Sequence, residues 1–193
     1  MTILRNTAEG KTNGASVTAG ASGGTAGNAF DDVSNIPEYT NATPYGGAMG
    51  ILCDGLAADY VVWNATSVPA GITQGWLRIV GRLLALPTGN STIANFRETN
   101  GTTSGIDFRI TATGALQTRP NLILEDTSPA MFVANQDFRL EIRVLSNAAT
   151  GSVEVRFYTG ANVEGATPDV TRTLVNQNTG DGTIRGVAGG WIV

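Results

Sequence analysis

The feature that most constrains this chain is an alternation of apolar and polar residues with a period of two. From Asp137 it reads Asp-Phe-Arg-Leu-Glu-Ile-Arg-Val-Leu-Ser, so Phe138, Leu140, Ile142 and Val144 share one face while Arg139, Glu141 and Arg143 share the other. Such a repeat suits a strand; a helix with 3.6 residues per turn would scatter both sets around its circumference. After Asn-Ala-Ala-Thr-Gly at residues 147–151 the same grammar returns: Val153, Val155 and Phe157 alternate with Glu154 and Arg156. Two such runs joined by about five residues ending in Gly predict an antiparallel hairpin with one buried face.

Strand-like runs recur at residues 75–84, 91–97, 105–112 and 115–118, separated by Pro-Thr-Gly-Asn, Thr-Asn-Gly-Thr and Thr-Gly. Shorter candidates are residues 2–5, 15–18, 49–53, 58–64, 122–125, 170–174, 183–185 and 191–193. The single stretch with helical character is 128–134, a turn or two at most because it contains Pro129. The expected architecture is therefore all-β: one domain over residues 1–193, built as a two-sheet antiparallel β-sandwich, with strands long enough to favour a jelly roll. Residues 10–29 are rich in Gly, Ser and Thr. They are expected to form an edge segment or an arm, with Ile3, Leu4 and Phe30 as core anchors on either side.

Composition then narrows the chemistry. The 193 residues contain no histidine and one cysteine. Ser-His-Asp and Cys-His catalysis and Cys/His zinc sites therefore have no members to build on. Cys53 sits in Gly-Ile-Leu-Cys and reads as a buried, inert thiol. The net charge is −4, and the cations are eleven arginines and Lys11, with no basic cluster. Neither a nucleic acid nor an anionic membrane is an expected partner. No run approaches the roughly 18 apolar residues that span a bilayer. The first ten residues lack the apolar core of a secretory signal, so synthesis in a cytoplasm is expected.

The run from Trp76 to Arg119, with Leu-Pro-Thr at 86–88 and Arg-Ile-Thr-Ala-Thr-Gly-Ala-Leu at 109–116, resembles the centre of a LamG-like, concanavalin A-like jelly roll. The Phe-Arg-Leu-Glu-Ile-Arg-Val hairpin closing on Gly-Ser-Val-Glu-Val-Arg-Phe-Tyr resembles the paired long strands late in that fold. The opening Ile-Leu-Arg-Asn-Thr-Ala-Glu-Gly and the later Asn-Ala-Phe-Asp-Asp are similar to the start of such modules in virion proteins of actinobacterial phages. This resemblance implies a scaffold and a virion setting; it assigns no chemistry to any residue.

Carboxylates are the remaining acid–base groups. Glycosidases of this fold carry Glu-x-Asp-x-x-Glu on one strand, which is absent here; Asp31-Asp32 and Glu125-Asp126 are adjacent pairs whose side chains diverge in a strand. No cofactor is expected, although Asp126, Asp137 and Asp181 in or beside loops leave rim calcium as an option that no motif supports. The candidate contact surface is aromatic. Tyr39 and Tyr45 lie in the loop-like run 37–47, and Trp76 falls on the strand face opposite Leu77 and Ile79. The expected function is that of a non-enzymatic phage structural protein, decorating or reinforcing a capsid or tail in multiple copies through contacts with other virion proteins. The alternative is a carbohydrate-binding receptor or adhesion module that takes cell-surface glycans.

Overall fold

A computed structural model describes residues 3–25, 27–35, 37–42, 50–53, 59–98 and 104–192, with residues 50, 104, 191 and 192 described by backbone alone. The long alternating run is strand β10 (Asp137–Leu145), and it has a partner on both sides along its whole length. One partner is β11 (Gly151–Thr159), the second arm of the expected hairpin. The other is β5 (Gln74–Arg82), paired residue for residue from Asp137↔Arg82 to Leu145↔Gln74 without a bulge. With β12 (Val170–Gln177) on the far side of β11, these make a four-stranded antiparallel sheet in the order β12-β11-β10-β5.

Facing it is a seven-stranded sheet in the order β1-β4-β13-β6-β7-β8-β9. Its strands are β1 (Asp32–Ser34), β4 (Tyr60–Trp63), β13 (Gly186–Ile192), β6 (Ser91–Arg97), β7 (Ser104–Ile110), β8 (Ala115–Pro120) and β9 (Asp126–Ala130). A small sheet pairs β2 (Glu38–Thr40) with β3 (Gly50–Leu52). All these pairings are antiparallel. The chain is an all-β sandwich, and the short 3-10 turn Gly160–Asn162 is the helical element among the described residues.

The main core fills the space between the sheets. Phe138, Leu140, Ile142, Val144, Val153, Val155 and Phe157 project from the four-stranded sheet onto Ile93, Phe96, Ile106, Phe108, Ile110 and Leu116. Burying each of these side chains contributes about 1.5–3 kcal/mol. Phe132 joins Phe138 and Phe157 in an aromatic cluster with centroid separations of 4.7–6.2 Å. The chain reaches that cluster through a tight turn at Gly114, where φ is +78° and an added Cβ would lie 2.2 Å from the Phe132 carbonyl oxygen. That same Gly114 carbonyl accepts the Met131 and Phe132 amides at 2.8 and 2.9 Å, so the β7–β8 turn and the aromatic cluster are one unit.

A second, smaller cluster gathers Ala8, Val17, Phe30 and Tyr39 against Val33, Ile51, Val61 and Trp63. The described residues of 10–29 feed it as turns with an isolated bridge from Ser16 to Glu38, and they form neither a regular edge strand nor a free arm. Phe30 is the anchor expected, whereas Ile3 is 70% exposed.

Several expected elements need correction. Residues 3–5 are not a strand, and 128–134 is not helical because its first half is paired in β9. Residues 122–125 form a turn, with Asn121 and Leu122 at positive φ, and Leu122, Ile123 and Leu124 lie exposed. Cys53 is half-buried beyond the end of β3 rather than in the core.

Truncating Phe157 to Ala is expected to cost about 3–5 kcal/mol in chemical denaturation. Ile3→Ala is expected to fall within about 0.5 kcal/mol of the parent. A small loss at Phe157 would contradict the placement of this core.

Candidate functional site

Strand alternation sends every second residue of the four-stranded sheet outward, and in-register pairing lines those residues up in rows. One row places Val80, Arg139 and Tyr158 side by side; the next holds Arg78, Glu141 and Arg156; a third holds Trp76, Arg143 and Glu154. The first of these rows is closed. The Arg139 guanidinium lies 3.6 Å from the Tyr158 ring centroid and donates from Nη1 and Nη2 to the carbonyls of Val163 and Gly165, each at 2.6 Å. The loop after β11 is thereby fastened over a buried tyrosine. Glu141 sits beneath, bound by Arg78 Nη2 at 2.7 Å and approached by Arg139 Nε at 3.4 Å.

The Trp76 row is open. The indole is 51% exposed, with Arg143 and Arg156 guanidinium carbons 5.6 and 5.9 Å from its ring centroid. Arg156 donates to Glu154 at 2.6 Å and Arg143 to Gln74 at 3.0 Å. Both cations lie at cation–π distance from the ring and leave half of the residue exposed.

Of the aromatics singled out from sequence, Tyr39 and Trp76 lie in different settings. Tyr39 is 3% exposed in the second core, its hydroxyl 3.5 Å from the Ser22 carbonyl and its pKa raised by burial, so it is a packing residue. Tyr45 lies outside the described residues. Of the two described, Trp76 is the one that presents a surface.

Sequence reasoning missed a second polar row, on the outer face of the seven-stranded sheet. There Asn95, Asp107 and Arg119 stand opposite one another on β6, β7 and β8. Arg109 and Arg119 each approach Asp107 Oδ2 at 3.4 Å, and Arg97 reaches Asn95 Oδ1 at 3.4 Å while its guanidinium carbon lies 5.6 Å from the Tyr60 ring centroid. Burial pushes the Asp107 carboxyl above its ordinary value despite the two nearby cations, because both contacts are long. The signal was in the sequence as Asp107 and Arg109 alternating with Ile106, Phe108 and Ile110, but pairing with Asn95 and Arg119 depends on register.

The loop acids are committed elsewhere. Asp126 is clasped by Arg172, Asp137 by Arg82 at 2.7 and 2.8 Å, and Asp181 Oδ1 accepts from the Thr183 amide and hydroxyl. Asp31 binds Asn64 and Ser67, fixing the turn after β4. Among the described residues no three His, Cys, Asp or Glu side chains form a group that would hold a metal.

Beside β5 runs a cleft of about 2470 Å3, bounded on its other side by the second core cluster and the N-terminal segment. Leu77 and Ile79 line one wall and Ile51, Val61 and Trp63 the other, all of them half-buried. The molecule thus combines an all-β sandwich with an open aromatic position and an apolar cleft. No protein-family model matches the chain, and no curated protein matches it.

Asp107 also sets a pH dependence. Because its folded pKa lies above the unfolded value, its ionisation costs stability as pH rises from about 4 through the folded pKa. The stability of Asp107→Asn relative to the parent is therefore expected to improve between about pH 4 and 7. Urea denaturation across that range checks it, and a difference that does not vary with pH would contradict it.

Proposed function

We propose that this chain is a non-enzymatic structural module of a phage virion, a concanavalin A-like jelly roll that decorates or reinforces the capsid or tail by burying its surfaces against other virion proteins. The observation that carries this reading is the apolar cleft beside β5, which half-buried aliphatic and aromatic side chains line among the described residues. Open apolar surface of this kind is a mark of interaction sites. The two-sheet architecture supports the sequence resemblance, and the engagement of Asp126, Asp137, Glu141 and Glu154 with arginines supports a scaffold role over acid–base chemistry. On this reading the protein is made in the host cytoplasm and joins the particle in multiple copies.

The test is quantitative mass spectrometry of purified particles produced with this chain. Constant stoichiometry with the major shell or tail protein is expected; particles that lack it altogether would overturn the reading.

A carbohydrate-binding role is a second reading, favoured by the open Trp76 indole, which has the size and polarity to stack on a pyranose face. It requires a glycan-array signal that falls at least about tenfold in Trp76→Ala, a loss of about 1.4 kcal/mol. An unchanged signal would dismiss Trp76 as the platform.

A further inference from the structure

The two lateral sides of the sandwich are finished differently. At β12 the Arg172 guanidinium crosses to Asp126 at the start of β9 and ties the sheets together. At the other end β5 is the last strand of its sheet, and among the described residues no strand pairs with its far side. The Thr73 carbonyl accepts from the Ser146 amide at 2.8 Å in continuation of the β10–β5 register, so the odd-numbered residues of β5 direct their backbone groups to β10. The even-numbered residues Gln74, Trp76, Arg78, Val80 and Arg82 consequently direct their N–H and C=O groups into the cleft. Natural edge strands are usually blunted by a proline, a bulge or an inward charge. Strand β5 carries outward arginines at 78 and 82 but no proline, bulge or inward charge: its register is unbroken and its inward residues are Gly75, Leu77, Ile79 and Gly81.

We propose that β5 is the acceptor edge for an extended segment of a partner chain that alternates apolar and acidic residues, added as a fifth strand to the four-stranded sheet. The proposal rests on the surface-module reading and names the surface and the partner's chemistry. The unpaired backbone groups call for an extended backbone, and the nine residues of β5 give it a run of about 30 Å. Inward-pointing residues of the added strand meet Leu77, Ile79, Val61 and Trp63 in the cleft, which requires them to be apolar. Outward residues stand beside Arg78 and Arg82. The outer face of this sheet carries Arg78, Arg82, Arg139, Arg143 and Arg156 against Asp137, Glu141 and Glu154, and those carboxylates lie on β10 and β11, behind the cations of the free edge. Arg78 spends one donor on Glu141 and still keeps its side chain 66% exposed at this edge, so a carboxylate complements its remaining donors.

The probe is a capped nine-residue peptide alternating Val and Glu, titrated into the full chain by calorimetry and by amide chemical shifts. Binding is expected, with the largest shifts at residues 74, 76, 78, 80 and 82. Val80→Pro removes an outward donor and leaves the ladder to β10 intact, so the variant is expected to keep its melting transition and bind at least tenfold more weakly. Replacing Glu by Lys in the peptide is expected to weaken binding similarly. Equal binding by Val80→Pro or by the Lys peptide, or no binding at millimolar peptide, would overturn the proposal. Should Val80→Pro not fold, a Val/Glu peptide N-methylated at alternate residues replaces it: lost binding supports strand addition and retained binding refutes it. A concentration-dependent dimer in sedimentation, with the same edge amides shifted, would assign the edge to a second copy and also refute the proposal. Absence from particles bears on the virion setting alone; failed peptide binding bears on the edge alone.

Discussion

Strand β10 bears the largest share of the constraints in this molecule. It is paired over nine residues with β5 and over eight with β11, and its inward residues Phe138, Leu140, Ile142 and Val144 sit at the centre of the main core. Satisfying the backbone on both edges and the apolar face at once leaves little freedom in its position. Its neighbours inherit that precision, because each in-register pair on one face fixes the pair on the other. The outer rows of Arg, Glu, Tyr and Trp are therefore products of the core: a one-residue slip would turn the charges inward and the aliphatics out.

The same ladder separates a closed part of the surface from an open one. Around Tyr158 the outer face is sealed by the Arg139 clasp on the 163–165 loop, and the β12 side is tied down by Arg172 and Asp126. Around Trp76 and along β5 neither device is present among the described residues, and the cleft follows that side. Arginine is suited to the closed part, since its planar fork can stack on a ring and donate to two carbonyls simultaneously, which a lysine cannot do. The preference for arginine in this sequence thus has a local use in at least Arg139 and Arg172, whatever its wider origin.

Much of the fold was legible in the sequence, because alternation reports directly on which face of a strand is buried. Residues 91–97 and the 137–159 hairpin fall where their patterns put them, and Trp76 is exposed on the face opposite Leu77 and Ile79. The pattern failed where apolar residues serve no sheet. The Leu122-Ile123-Leu124 run resembles a strand, yet positive φ at Leu122 turns the chain there and leaves all three exposed. Tyr39 looked like a loop aromatic because nothing local reveals that Ala8, Val17 and Phe30 pack with it. The Asn95–Asp107–Arg119 row was illegible for a related reason: its members are separated by 12 residues at each step, and register alone brings them together.

On the proposed reading the chain acts through surfaces it leaves unpaired, and the decisive question is whether β5 is an open edge in the isolated chain. Native-state hydrogen exchange resolved by residue answers it most directly. The expected result is an alternation along β5, with the amides of residues 75, 77, 79 and 81 protected by β10 and those of 74, 76, 78, 80 and 82 exchanging readily, beside uniformly slow exchange in β10. Uniform protection of every amide from 74 to 82 in the monomer would show that the edge is already covered, and would contradict the account.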